Sequence, residues 1–285
     1  MIFKSKIFIK MSEEKKEILL GDCLELMKDI PNGSIDMVLT DPPYGVTKIK
    51  WDSVIDLDLM WKELYRITKE NGAIVLFGTQ PFVSKLISSN YEHFKYDVIW
   101  CKDKPTNIGN ANKQHLRMHE HCLIFYRKQP TYNPQRKYFP RTAEGKKRFN
   151  DAKRTGYKFK SGGTDDFVSN KIQTDPSIMT DFEINFKVPH TLLQITSIRN
   201  NQKEKYHQTQ KPIELMEYFI KTFTNEGETV LDFTAGSGTT AIACLKTNRQ
   251  FIVMEKEQKY YDIILKRVAD FNKSFYHGTL FDAVQ

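Results

Sequence analysis

Cysteine is scarce and scattered. Cys23, Cys101, Cys122 and Cys244 are separated by 78, 21 and 122 positions, a spacing that matches neither a disulfide framework nor a paired metal knuckle. They read as thiols, buried or placed by the backbone, in a reducing cytoplasm. Long apolar runs are missing too. None approaches the ~20 residues of a membrane helix, which excludes a spanning protein. The opening MIFKSKIFIK is interrupted by lysines and has no small-residue cleavage site, so it does not read as a signal peptide. Met11 offers a second start, with residues 1–10 as a dispensable arm. No internal repeat is present. What remains is 285 residues, 40% hydrophobic and 27% charged, neither disordered nor fibrous. That length accommodates one large α/β core plus an insertion.

The net charge of +8 is concentrated in one place. Arg127 to Lys160 holds 12 Lys and Arg against 2 Asp and Glu, leaving 31 basic and 33 acidic residues in the rest of the chain. Tyr132, Tyr138, Phe139, Phe149, Tyr157 and Phe159 interleave the basic stretch. A solvated loop is one reading; a phosphate-binding surface is the stronger one. Its candidate contacts are Arg136, Lys137, Arg141, Lys146, Lys147, Arg148, Lys153 and Arg154.

Hydrophobic patterning predicts alternating strands and helices. Strands are expected at Glu17–Leu20, Ile35–Thr40, Ala73–Phe77, Tyr96–Cys101, Cys122–Tyr126, Glu228–Phe233 and Phe251–Met254. Helices are expected at Cys23–Ile30, Leu57–Lys69 with Asn71-Gly72 as its cap, Pro81–Ser88, from Pro212, Thr239–Lys246 and Gln258–Phe271. Phe182–Ile198 alternates loosely, in the manner of short strands. The alternation implies a mostly parallel, doubly wound sheet covered on both faces. Ligands in such sheets sit beyond the carboxyl ends of the strands. Asp22, Asp41, Asp232 and Glu255 all fall at such ends.

Two motifs carry the chemistry. In Leu231-Asp-Phe-Thr-Ala-Gly-Ser-Gly-Thr-Thr240 a strand enters a glycine turn and then a helix. Glycines let the backbone approach a ligand, and the helix start offers free N–H groups. Glu255, 19 residues after Gly236, can accept from both hydroxyls of a ribose, so a nucleoside-containing cofactor is expected. Gly236-Ser-Gly238-Thr-Thr-Ala241 also fits a dinucleotide fingerprint, which keeps a nicotinamide dehydrogenase open at this point. Asp41-Pro-Pro-Tyr44 separates the two. Its prolines remove two backbone donors, leaving carbonyls beside a carboxylate as pure acceptors. That suits an amino group that must donate, with Tyr44 as a flat face for a base. His115, His119, His121 and Cys122 crowd together, but adjacent His121 and Cys122 would point to opposite faces of a strand. A polar loop is expected there rather than a metal site.

These motifs make the chain resemble the S-adenosylmethionine-dependent DNA amino-methyltransferases, in the circularly permuted order called the β group. The resemblance runs through Gly21-Asp-Cys-Leu24, Ser34-Ile-Asp-Met-Val-Leu-Thr-Asp-Pro-Pro-Tyr-Gly45, His207-Gln-Thr-Gln-Lys-Pro212 and Asp232–Thr240, over about 200 residues. Gln208 stands where the family has proline in HPTQKP, and Asp232-Phe-Thr-Ala-Gly where DPFxG is common. Neither departure removes a side chain assigned to chemistry.

The resemblance implies a Rossmann-like methyltransferase core with a basic insertion for DNA recognition. Residues 1–126 would be the catalytic half, 127–200 the target-recognition region and 201–285 the cofactor half. It implies that Asp232, Phe233, Gly236, Ser237, Gly238, Thr239 and Thr240 hold the methionine end and backbone of S-adenosylmethionine. Glu255 takes its ribose, and Asp22 with the Cys23 N–H takes its adenine. His207, Thr209 and Lys211 close the pocket, although Lys211 also fits a surface position at a helix start. Asp41, Pro42, Pro43 and Tyr44 are the expected catalytic set. Asp41 and the Pro42 carbonyl would accept from an exocyclic amine flipped out of duplex DNA, so that its lone pair faces the methyl. No metal is needed and no membrane is involved. A homodimer and a cognate restriction endonuclease are the further partners the family suggests. Segments such as Asn110-Ala-Asn-Lys-Gln favour adenine N6 over cytosine N4, whose enzymes more often carry Ser before Pro-Pro-Tyr. A decayed, purely DNA-binding relative is disfavoured because the expected acids and glycines are all present.

Overall fold

In a computed structural model, residues 6–8, 16–45, 55–138, 147, 151, 186–187, 189–198, 206–207 and 210–282 are described. Two compact units divide the chain. One comprises residues 1–133 and 190–285; the other comprises Pro134–Pro189.

The larger unit is built on a nine-stranded sheet. Its strands are β1 (Lys6–Phe8), β2 (Lys16–Leu20), β3 (Ile35–Thr40), β4 (Thr68–Gly78), β5 (Phe94–Thr106), β6 (Arg117–Phe125), β9 (Leu192–Gln194), β10 (Thr229–Asp232) and β11 (Gln250–Glu255). They lie in the order β1-β2-β11-β10-β3-β4-β6-β5-β9. The central run from β2 to β4 is parallel. Strand β6 is antiparallel to both β4 and β5, and β1 to β2. The permutation is visible in this order, since β2 near the start of the chain lies against β11 near its end.

Helices cover both faces. On one, α1 (Cys23–Met27), α2 (Leu57–Ile67) and α3 (Phe82–Ser88) bury residues such as Met27, Met60, Leu64 and Leu86. On the other, α4 (Ile213–Phe223), α5 (Thr239–Lys246) and α6 (Gln258–Asp282) bury Phe219, Ile242, Ile264 and Val268. The inner strands are therefore apolar on both sides. This is why Ile35–Thr40 and Thr229–Asp232 read as continuous rather than alternating runs. No helix of the described residues is long and apolar enough to cross a membrane.

Three sequence expectations change. Helix α2 stops at Ile67, and Asn71-Gly72 lies inside β4 instead of capping a helix. A register shift between β3 and β4 absorbs the extra residues there. Strands β5 and β6 run beyond the apolar segments expected for them, to Thr106 and from Arg117, and a 3₁₀ turn at Ile108–Asn110 lies between them. The polar residues of these extensions carry no core-facing alternation, which hid the strands. Finally, β9 lies within the 127–200 segment expected as an insertion, yet it pairs with β5 in the main sheet.

The smaller unit holds an antiparallel pair, β7 (Lys137–Tyr138) with β8 (Phe186–Lys187). Within it Arg136 and Lys147 are exposed. Lys137 lies in β7, while Arg141, Lys146, Arg148, Lys153 and Arg154 lie outside the described residues. The Met1 and Met11 alternatives lie outside them as well.

Candidate active site

Strands β2, β3, β10 and β11 are mutually parallel neighbours, so the residues at their carboxyl ends converge. Asp22, Asp41, Asp232 and Glu255 all border a single cavity of about 470 Å³. That is within the range of small-molecule sites.

Thr40, the last residue of β3, stitches two loops together. Its hydroxyl donates to Asp232 Oδ1 at 2.8 Å and accepts from the Phe233 N–H at 3.0 Å. Across the same junction the Thr234 hydroxyl donates to the Asp41 carbonyl at 3.1 Å. Asp232 also accepts from the Thr240 hydroxyl and, at 3.2 Å, from the Thr234 N–H. Burial pushes its carboxyl up to about 6, against these donors, which pull it down. Asp232 thus braces the Asp-Pro-Pro-Tyr loop and the glycine turn against each other. Phe233 borders the cavity with almost no exposed surface.

At the Asp41 end the site is a chain of charges. Tyr44 donates its hydroxyl to one Asp41 oxygen, and the Lys211 ammonium holds the other. Lys211 is buried; it is not the surface lysine its helix-start position allowed. Its Nζ lies 3.2 Å from Glu120 Oε2, and the Lys102 ammonium holds Glu120 Oε1. Burial lowers the Lys211 pKa, but Asp41 and Glu120 outweigh it and push the pKa up. Burial raises that of Glu120, but Lys211 and Lys102 outweigh it and hold the carboxyl below its usual range. The Tyr44 hydroxyl is pushed well above the ordinary tyrosine value, first by burial and then by Asp41. Its ring stacks on Phe82, centroids 5.2 Å apart and planes at 29°. One ring face is backed and the phenol points at the acid. Pro42 and Pro43 complete the loop on the cavity wall.

The other end is set by Glu255. Its Oε2 accepts from the Gly236 N–H at 2.8 Å, and its Oε1 from the Lys256 and Glu257 N–H groups at 2.9 and 2.8 Å. These three bonds fix the carboxylate's position and leave one lone-pair site open, on Oε2. Burial nevertheless raises its pKa. Asp22 caps α1, accepting from the Leu24 N–H at 3.0 Å, and lies 3.3 Å from Lys256 Nζ. Cys23 follows it into the wall, its thiol pushed up to about 12 by burial. A side chain added at Gly236 would meet no atom within 4 Å, so the backbone there is open to close approach. Gly238 differs. It is not on the cavity wall; it caps α5 with φ 77°, and a Cβ there would press on Ile264 at 2.9 Å. Its smallness serves helix packing. Ser237, Thr239 and Thr240 border the cavity. His207 does too, edge-on to the Tyr260 ring at 4.5 Å. Thr209 lies outside the described residues.

The structure therefore adds Glu120, Lys102 and Tyr260 to the residues read from sequence. Glu120 sits in the His-Glu-His stretch, one position before His121, whose Nδ1 lies 2.8 Å from Asp97 Oδ2, and two before buried Cys122. Only strand pairing brings it to Lys211. Among the described residues, no group of three or more His, Cys, Asp or Glu has the arrangement of a metal site.

An acid with an open lone-pair site, an open glycine turn and a second acid at one end fit a nucleoside with hydroxyl and amino donors. A carboxylate held by a phenol and an ammonium at the other end fits an amine.

Comparison with known proteins agrees with this donor set. The model of a family described as DNA methylase, of N6/N4 type, matches residues 35–266. The chain is 28% identical over 281 residues to the type II methyltransferase M.HinfI of Haemophilus influenzae, covering 89% of this chain and 68% of that protein. It is 27% identical over 273 residues to the DNA adenine methyltransferase YhdJ of Escherichia coli (strain K12), covering 91% and 84%. The solved structure of an M1.HpyAVI–SAM complex shares the fold, with a TM-score of 0.55 at 23% identity, over 88% of this chain and 98% of that one.

Proposed function

The chain belongs to the N6/N4 DNA methylase family, and from that premise we propose that it transfers a methyl group from S-adenosylmethionine to the N6 amino group of adenine in duplex DNA. The observation that carries the reading is Asp41: a carboxylate beside two prolines, fixed by Tyr44 and Lys211, on the same cavity as Glu255 and Asp22.

S-adenosylmethionine supplies a methyl carbon on a sulfonium: the amine lone pair bonds to that carbon, the carbon–sulfur pair returns to sulfur, and the surplus proton on nitrogen leaves to solvent. The protein's part is positioning. Glu255 accepts from the ribose hydroxyls, Asp22 from the cofactor's adenine amino group, and the turn from Gly236 to Thr240 carries the methionine portion. Asp41 and the Pro42 carbonyl accept from the target amine and draw its nitrogen toward a tetrahedral geometry. With Phe82 behind it, Tyr44 offers its other ring face to a base rotated out of the duplex. Lys211 and Tyr44 hold the two Asp41 oxygens and orient the carboxylate as an acceptor.

Asp41 before Pro-Pro-Tyr favours adenine over cytosine N4, in keeping with the name of the Escherichia coli relative. Residues 127–200 form the target-recognition region in this reading, with the Arg and Lys side chains from Arg136 to Arg154 on phosphates. Residues 1–126 and 201–285 are the catalytic and cofactor halves. The protein works in the cytoplasm as the modifying half of a restriction-modification pair, alongside a cognate endonuclease and as a homodimer.

The test is transfer of labelled methyl to duplex DNA, with nucleoside analysis of the product. Asp41→Ala should lower turnover by about 10²–10³ while cofactor binding persists. Tyr44→Ala should weaken capture of the target base by about 1–3 kcal/mol. Label on cytosine N4 would overturn the adenine assignment; undiminished transfer by Asp41→Ala would overturn the mechanism.

A further inference from the structure

Glu120 is a half-buried acid on the wall of the reaction cavity, between the buried Lys211 on that wall and the half-buried Lys102 behind it. The side chains of Lys102, Glu120 and Lys211 are 9%, 12% and 7% exposed. Lys102 holds Oε1. Oε2 pairs with Lys211 Nζ at 3.2 Å as an ion pair and has no hydrogen-bond donor among the described residues. Asp41, Glu120, Lys211 and Lys102 together carry two charges of each sign, and this part of the wall is neutral.

Removing the Glu120 charge would change two things. Of its two carboxylates Lys211 would keep only Asp41, and a lysine's flexible stem lets an ammonium held by one carboxylate swing. Lys102 would lose its carboxylate and keep the Trp100 ring, 4.8 Å from its ammonium, and the cluster would carry a net charge of +1. Both matter for a methyl donor that is itself a cation and for a nitrogen that becomes positive as the methyl arrives. Beside the cavity, an uncompensated ammonium opposes each of them.

We propose that Glu120 is a positioning residue for methyl transfer: it pins Lys211 against Asp41 and cancels that ammonium's charge at the cavity wall. The inference rests on the methyl-transfer reading above. It assigns Lys102 a part as well, as the cation that keeps Glu120 in place.

The test uses the full chain with Glu120→Gln and, separately, Lys102→Met. Calorimetry measures affinity for S-adenosylmethionine and for its uncharged product S-adenosylhomocysteine; label transfer gives kcat and KM for DNA. Glu120→Gln should shift the ratio of the two affinities toward the uncharged product by about tenfold. It should lower kcat by at least about tenfold, with KM for DNA changed by less than about threefold. Lys102→Met removes a positive charge and should shift the affinity ratio the other way. A purely structural role weakens both ligands together and leaves the ratio unmoved in both variants, which would overturn the proposal. Should Glu120→Gln fail to fold, the direction of the Lys102→Met shift decides in the same manner. Wild-type protein that methylates no DNA would sink the enzyme reading; active wild-type protein with an unchanged ratio in Glu120→Gln would sink only this inference.

Discussion

Lys211→Met isolates the charge chain beneath the reaction site. Methionine keeps much of the stem's volume but leaves Asp41 and Glu120, which both touch the same ammonium, facing each other with only Lys102 to offset them. At 3.2 Å the Lys211–Glu120 attraction is worth about 5 kcal/mol with an effective dielectric of about 20, and the shorter Asp41 contact at least as much. Desolvating the ammonium cancels several kcal/mol of that sum. A net loss of about 3–5 kcal/mol at about pH 8 follows, the usual cost of breaking a buried pair by removing one partner. The loss should depend on pH in a definite direction. The folded pKa of Lys211 lies above its ordinary value of 10.5, so its contribution is fully present below that pH and is lost only as pH rises through the folded value. In the variant the two carboxylates repel, Glu120 loses the Lys211 charge that holds its carboxyl below the usual range, and protonating Glu120 relieves the repulsion. The variant should therefore regain stability as pH falls, and its deficit should shrink by about half by pH ~5. Urea unfolding followed through buried Trp61 and Trp100 reads both conditions. A deficit below about 1 kcal/mol at the higher pH, or one of equal size at both, would refute the reasoning.

Three further outcomes are expected. Glu255→Ala should raise the Kd for S-adenosylmethionine by about one to two orders of magnitude, by loss of charged acceptors; unchanged affinity by calorimetry would sink the ribose assignment. Asp232 has a folded pKa of about 6 against 3.8, so the folded state holds its proton more tightly. Its contribution should make stability fall as pH rises from about 4 to about 6, by about 3 kcal/mol in all. Melting curves of wild type and Asp232→Asn across that window should diverge, and parallel curves would contradict the shift. Replacing Lys146, Lys147 and Arg148 by alanine should weaken DNA binding and flatten its salt dependence, by up to about 0.9 in slope for each phosphate no longer neutralised, with cofactor affinity unmoved. Unaltered DNA binding at about physiological ionic strength would make the segment a solvated loop.

Much of the site was legible in the linear chain, because a buried parallel strand announces itself. Apolar runs such as Ile35–Thr40 and Thr229–Asp232 end where the core ends, and the first polar residue beyond such a run must stand at the sheet's edge. Asp22 and Asp41 lie just beyond their strands and Asp232 and Glu255 are the last residues of theirs, so the convergence of all four needed only the assumption that the strands are parallel neighbours. The glycine turn was equally local, though it could not distinguish Gly236, open to a ligand, from Gly238, packed against Ile264. The rest depended on contacts between segments far apart in the chain. Asn71-Gly72 has the composition of a helix cap, yet pairing with β3 draws it into a strand. Lys211 looks the same in sequence whether it faces water or a carboxylate. Glu120 sits among polar residues in a strand extension that has no apolar alternation to reveal it. Only the antiparallel seating of β6 against β4 brings Glu120 beside Lys211 and gives both their partners. Short-range steric and hydrophobic preferences fix where a strand ends, and these are written in neighbouring residues. Pairing between buried charges depends on which distant segments share a low-dielectric space, and that is decided only when the sheet is assembled.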